Sequence, residues 1–160
     1  MAYLLDTNVF IEAKNLYYGY SICPGFWHWL DLAHEQGKIL SIKRVRDELM
    51  GREDWLTEWC RSRSKMFLNP DDQKTYARLE LLATWATGSY SDAACAKFLG
   101  CADFVLVGYA DAYSHTVVTT EIASNGYQIK IPNACKAMDV PCVSPFQMLA
   151  KEKTKFYLPT

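Results

Sequence analysis

The feature that most constrains this chain is a set of short apolar runs with no polar alternation: Ala2-Tyr3-Leu4-Leu5, Ile39-Leu40-Ser41-Ile42, Thr116-Val117-Val118-Thr119 and Val140-Pro141-Cys142-Val143. Runs of this length and pattern read as strands buried on both faces, the kind found inside a parallel sheet. The segments between them carry helical signals. Strands alternating with helices imply an α/β fold, a central parallel sheet of four or five strands with helices on both faces. In such sheets the functional crevice lies beyond the carboxyl ends of the strands.

The helices are marked by their ends. Asp6-Thr7-Asn8 supplies three N-cap residue types before Val9-Phe10-Ile11. Pro24 and Gly37 bracket a second helix, and Gly51 ends a third that carries Val45, Glu48 and Leu49. Asp54 caps a helix from Trp55 to Arg63, and Pro70-Asp71-Asp72 opens one with Tyr76, Leu79, Leu82 and Ala83 on one face. A weaker segment, Ser91 to Leu99, precedes a strongly apolar helix, Ala102 to Tyr113. Ile129 and Ile131 flank a short extended piece, Asn133 to Met138 suits one or two helical turns, and Ser144-Pro145 opens a closing helix through Ala150. Residues 1–150 read as one domain and 151–160 as a short tail, basic at Lys151, Lys153 and Lys155, then aromatic.

Composition narrows the function classes. Lys+Arg of 17 against Asp+Glu of 18 excludes a basic nucleic-acid coat, though not a local RNA-binding patch. No apolar run reaches bilayer length and no secretory leader is recognisable, so a cytoplasmic location and no membrane partner are expected. The six cysteines form no Cys-x-x-Cys pair and read as free thiols in a reducing interior. His28 and His34 lie six apart on one helix and point different ways, so neither suits a metal.

Four carboxylates stand out by position. Asp6 ends the first strand, Glu48 lies on the helix after the second, Asp103 opens the apolar helix, and Glu121 follows the Val117-Val118 strand. Parallel strands bring Asp6 and Glu121 to one edge, and returning helices bring Glu48 and Asp103 there. Carboxylates gathered in a cleft repel unless a cation joins them, and hard oxygen ligands select Mg²⁺ or Mn²⁺. Such an ion lowers the pKa of a bound water and screens an in-line phosphodiester displacement. Taken singly, Asp6 and Asp103 also read as helix caps, Glu48 as a solvated helix face and Glu121 as a loop acid.

Tyr3-Leu4-Leu5-Asp6-Thr7-Asn8-Val9-Phe10-Ile11 resembles the opening motif of PIN-domain nucleases. Val45-Arg46-Asp47-Glu48-Leu49, Ala102 to Ala110, and Val117-Val118-Thr119-Thr120-Glu121 follow in that family's order. Lys130-Ile131-Pro132-Asn133-Ala134-Cys135 and Val140-Pro141-Cys142-Val143 are similar to a toxin-like bacterial subfamily. The resemblance spans residues 2 to 150. It implies a Rossmann-like PIN fold and a Mg²⁺- or Mn²⁺-dependent endoribonuclease, the toxin of a type II toxin–antitoxin pair that leaves a 5′-phosphate and a 3′-hydroxyl. Carried over by position, Asp6, Glu48 and Asp103 would bind the metal, Glu121 would be the fourth catalytic acid, and Asn8, Thr119 and Asn133 would be supporting polar groups. Two positions depart from the pattern: Glu121 stands where Asp is usual, and Asn133 where relatives of the subfamily often carry Asp.

RNA needs a cationic grip. Lys43, Arg44 and Arg46 form the densest basic run and lie beside Glu48. A solvated face interleaved with Asp47, Glu53, Asp54 and Glu58 explains them equally well. Tyr17, Tyr18 and Tyr20, and the pair Trp55 and Trp59, suit packing or protein contact better than base stacking. The resemblance implies an RNA substrate and an antitoxin protein as partners, and allows a homodimer. Two other readings compete: a PIN-like module that binds without cleaving, and an α/β phosphatase with an aspartyl nucleophile after the first strand.

Overall fold

Strand β1 (Tyr3–Leu5) is the middle of the sheet, and every residue of it is buried. In the computed structural model, which describes residues 1–159, it pairs in parallel on both sides. Leu4 stands opposite Leu40 of β2 (Ile39–Ile42) and Val117 of β4 (Thr116–Val118). Strand β3 (Phe67–Leu68) lies outside β2 and β5 (Cys142–Val143) outside β4, giving the order β3-β2-β1-β4-β5 with all strands parallel. The expected α/β class, a parallel sheet flanked by helices, is what the chain forms.

Nine α-helices connect the strands among the described residues: α1 (Thr7–Glu12), α2 (Pro24–Glu35), α3 (Lys43–Met50), α4 (Trp55–Arg61), α5 (Gln73–Ser89), α6 (Asp92–Leu99), α7 (Ala102–Tyr113), α8 (Ile131–Ala137) and α9 (Pro145–Lys151). A π-type turn over Ala13–Tyr17 continues α1. Several caps are those the sequence announces. The Asp54, Asp72 and Ser144 side chains accept from Thr57, Thr75 and Gln147 backbone N–H groups, satisfying donors that would otherwise face no partner. Helix α7 has the bounds expected of it and is the most buried of the nine. It packs so closely on α5 that a Cβ at Gly108 would sit 2.3 Å from Leu79 Cδ2.

Two elements differ from the sequence reading. Strand β3 was not anticipated: two residues between a buried Met66 and Pro70 are too short to show a period. The extended piece at Ile129–Ile131 is not a strand, because Ile131 is already the first residue of α8. Asn133 Oδ1 accepts the Lys130 backbone N–H at 3.2 Å, and Pro132 tolerates the helix's first turn, so the helix starts two residues early.

An aromatic layer closes the face formed by α1, α2 and α4. Trp27 is fully buried, 4.7 Å from the Trp55 ring and 5.2 Å from Trp59, and its Nε1–H donates to the Tyr18 carbonyl at 2.6 Å. Tyr18 stacks on Phe26 at 4.5 Å, and Tyr20 lies 4.7 Å from Trp55. These rings pack against one another. The segment beyond α9 folds back on the same layer: Phe156 reaches within 3.2 Å of where a Gly25 Cβ would stand. Thr160, the last residue of the tail, lies outside the described residues. Among the described residues no single helix is long and apolar enough to cross a membrane.

Candidate metal centre at the carboxyl edge of the sheet

The strand order places a switch point between β1 and β4. The connections from β1 run outward through β2 to β3, and those from β4 run the opposite way to β5. In sheets of this order the connections diverge at the switch point, and binding sites fall beyond the strand ends there. Asp6 follows the last residue of β1, and its backbone N–H donates to Val118 O at 3.0 Å. Thr119 follows the last residue of β4. Asp6 and Thr119 therefore face each other across the crevice as a direct consequence of parallel register.

Asp6 is 2% exposed. Its Oδ2 accepts the Thr119 hydroxyl at 2.9 Å, and the same hydroxyl oxygen accepts the Glu121 backbone N–H at 3.1 Å. Thr119 thus fixes the Asp6 carboxylate and the start of the Glu121 loop with one atom. Burial, then the charges of Asp103 and Glu121, push the Asp6 carboxyl up to about 8, against the opposing pull of the Thr119 bond. Without a cation, Asp6 holds its proton at neutral pH.

Asp103 arrives from above. It sits in the first turn of α7, which leads into β4 and so begins near that strand's far end. Its carboxyl is pushed up to about 6 by burial, then by Glu121 and Glu48, and eased by Cys101 and the Lys130 ammonium. Glu48 projects from α3 with the Thr7 hydroxyl donating to its Oε2 at 2.5 Å. Glu121 is already spoken for. Its Oε2 accepts the Ile131 backbone N–H at 2.9 Å, and its Oε1 pairs with Lys130 Nζ at 3.3 Å.

The four carboxylates the sequence singled out are thus electrostatic neighbours, but they are not equivalent. Among the described residues, no three His, Cys, Asp or Glu side chains are drawn together into a ready ligand set. In kind the donors suit a hard divalent ion: oxygen only, with Asp6 buried and Asp103 half-buried, both raised above their usual range first by burial and then by neighbouring carboxylates. Asp6, Glu48 and Asp103 are the residues that would hold it.

The remaining candidates divide. Asn133 lies outside the acid cluster: its Oδ1 accepts the Ser124 and Lys130 backbone N–H groups at 3.0 and 3.2 Å, and its Nδ2 donates to Ser124 O at 3.1 Å. A carboxylate would supply the acceptors but not the donor, which accounts for an amide here. Asn8, in α1, is half-buried. Lys43 and Arg44 are exposed at the start of α3 and make no ion pair among the described residues, whereas Arg46 turns to the Cys60 and Arg61 carbonyls at 3.4 and 3.5 Å. Arg63 is bound to Asp31 and lies 4.4 Å over the Trp59 ring. Three participants had no assigned role in the sequence: Thr7, Lys130 and Cys101, whose thiol burial and the nearby Asp103 and Glu48 charges push up to about 11. Thr7 stands next to Asp6 in the quoted opening motif, which was the available signal, whereas Lys130 lies nine residues from Glu121 and carried none.

The larger hollows lie away from this edge. One of about 760 Å³ is lined by Asp31, His34 and Arg63, and another of about 400 Å³ lies between the start of α2 and the tail. Fold and site together define a parallel-sheet α/β protein with an acidic crevice at its switch point. The chain belongs to the family described as a domain of unknown function (DUF4411), whose model matches residues 3–156. No curated protein and no solved structure matches it.

Proposed function

We propose that the protein is a metal-dependent endoribonuclease of PIN type, acting as the toxin of a toxin–antitoxin pair. The observation that carries this reading is the pair Asp6 and Asp103. Asp6 is buried at the switch point and Asp103 half-buried near it, and both carboxyls are raised by burial and by neighbouring carboxylates, with the Lys130 ammonium easing Asp103 only in part. Keeping such charges in a core is costly, and a structural role alone would be served by neutral residues.

Asp6, Glu48 and Asp103 would hold Mg²⁺ or Mn²⁺, which when bound supplies a nucleophilic water at neutral pH and charge neutralisation at the phosphate. The chain's own residues supply the rest. Thr119 orients Asp6, Thr7 orients Glu48, and Lys43 and Arg44 beside Glu48 are the free cations for the RNA backbone. In an assay of RNA cleavage with Mn²⁺, Asp6→Asn or Asp103→Asn should reduce the rate by more than about a hundredfold with the fold retained. Growth arrest on expression should disappear in the same variants. Cleavage undiminished in the metal-loaded double variant would remove the reading.

One observation favours a second reading, a PIN-like module that binds without cleaving: the acids are not drawn into a ligand set, and Glu121 is committed to Lys130 and Ile131. Saturable Mn²⁺ binding abolished by Asp6→Asn separates the two, because a binding-only module has no need of the ion.

A further inference from the structure

Two of the six cysteines are brought together by the turn between α8 and β5. Cys135 lies in the last turn of α8 and Cys142 opens β5. The chain reverses between them through Asp139, whose φ of 55° is left-handed, and Val140 N–H donates to the Cys135 carbonyl at 2.8 Å. Cys142 stands in register with Val117, which is itself in register with Leu4, so its side chain projects from the same face of the sheet as theirs. The strand on which it sits is held on both sides of it: Val117 N–H donates to the Pro141 carbonyl at 2.8 Å and Thr119 N–H to the Val143 carbonyl at 3.1 Å.

The two thiols meet there. The Cys135 S–H donates to the Cys142 sulfur, and this bond draws the Cys142 thiol below its ordinary value while pushing Cys135 up. Access differs in the same sense: Cys135 is 1% exposed and Cys142 is half-buried. One sulfur is thus open to a small reagent and favoured as thiolate, and the other waits behind it within reach. The remaining thiols are placed otherwise. Cys95 and Cys101 donate to backbone carbonyls, Ala86 and Phe98, and Cys60 is fully buried near Arg46 and Arg63.

We propose that Cys135 and Cys142 are a reversible oxidation site, closed to an intrachain disulfide by a hydroperoxide, which staples the end of α8 to the edge strand β5. The Cys142 sulfur attacks one peroxide oxygen: an S–O bond forms, the O–O bond breaks, and the departing hydroxide leaves as water with the thiol proton. The Cys135 sulfur then attacks the Cys142 sulfenic acid. The S–S bond forms, the S–O bond breaks, and the hydroxyl leaves as water with the Cys135 proton. The two thiols give up two electrons and one hydrogen peroxide becomes two waters. Neither cysteine belongs to the acid set, so this chemistry does not depend on the nuclease reading. It acts on the helix whose first turn supplies the Ile131 N–H to Glu121.

The test exposes the reduced full chain to equimolar hydrogen peroxide, alkylates the remaining thiols under denaturing conditions and digests with trypsin. The wild type should lose two of its six thiols and yield the peptide Ile131–Lys136 joined to Ala137–Lys151, with dithiothreitol restoring all six. Cys142→Ser should keep its other thiols reduced. Cys135→Ala should form no disulfide and accumulate a sulfenic acid on Cys142, captured by a dimedone probe. A wild type that keeps six thiols under peroxide, or whose Cys142 joins a cysteine other than Cys135, would overturn the proposal. Oxidation of the half-buried Cys23 and Cys101 as fast as Cys142 would also overturn it, leaving only exposure to explain the reactivity. Circular dichroism on each variant establishes that the fold is intact, and the wild-type and Cys142→Ser results decide the matter if Cys135→Ala does not fold.

Discussion

The two sides of the crevice handle charge in opposite ways. On the Glu121 side the acid and the amide are both partnered: two donors on the carboxylate and three bonds on Asn133, which tie Ser124 to the start of the following helix. On the Asp6 side burial first and then neighbouring carboxylates raise the affinity of Asp6 and Asp103 for protons, and the Thr119 hydroxyl, Cys101 and Lys130 answer them only in part. A chain that can satisfy acids so completely in one place, and leaves them in conflict a few ångströms of backbone away, separates folding from chemistry. The satisfied side holds the loop; the conflicted side is where the cation proposed above would bind.

That contrast is open to attack by measurement, beginning with the largest effect. Asp6 has a carboxyl raised from its ordinary value to about 8 in the folded protein. A raised acid favours the folded state only while protonated, so its stabilisation is complete below about pH 4 and is lost as pH rises through about 8. With chelator present, the melting temperature should fall on raising the pH from 5 to 9, and Mn²⁺ should restore it at the alkaline end. Asp6→Asn should flatten the pH dependence and melt higher than wild type at pH 9 without metal, the reverse of its effect on cleavage. A wild-type melting temperature that rises over this range would contradict the charge conflict.

The satisfied side should respond in the other sense. Asn133→Ala removes three bonds from a half-buried amide and leaves two backbone N–H groups without their acceptor. Denaturant unfolding should show a loss of about 1–3 kcal/mol, with cleavage per folded molecule far less reduced than in Asp6→Asn. Smallest of all, Lys38→Ala removes an exposed ion pair with Glu152, 2.7 Å long and away from the crevice. It should cost no more than about 1 kcal/mol and leave both metal binding and cleavage unchanged.

Much of this architecture was legible because it is local. Short runs dominated by apolar and β-branched residues mark β1, β2 and β4; capping residues mark α4, α5 and α9; the strongly apolar composition of Ala102–Tyr113 marks α7. The parallel reading then brought Asp6 and Glu121 to one edge without any coordinates. What stayed hidden is what depends on neighbours that sequence spacing does not set. Lys130 and Glu121 are nine residues apart across an irregular loop, so no periodicity links them. The resemblance makes Asn133 a supporting polar group of the site, whereas an amide at the third position of a helix, beside a Pro, equally announces a cap. The aromatic rings near Tyr18 sorted into packing because Phe26 and Trp27 turn their faces to them, a fact of helix rotation and not of composition.

The placement of β1 at the centre of the sheet sets a timetable. Asp6 and its hydroxyl partner Thr119 are separated by 113 residues of chain, so a ribosome has made roughly three quarters of the polypeptide before the two can meet. Until then the leading strand has only β2 beside it and Asp6 lacks its hydroxyl partner. The Asp6–Thr119 contact comes into being late, once β4 can pair beside β1, so on the nuclease reading proposed above a nascent chain would lack the completed site until that moment.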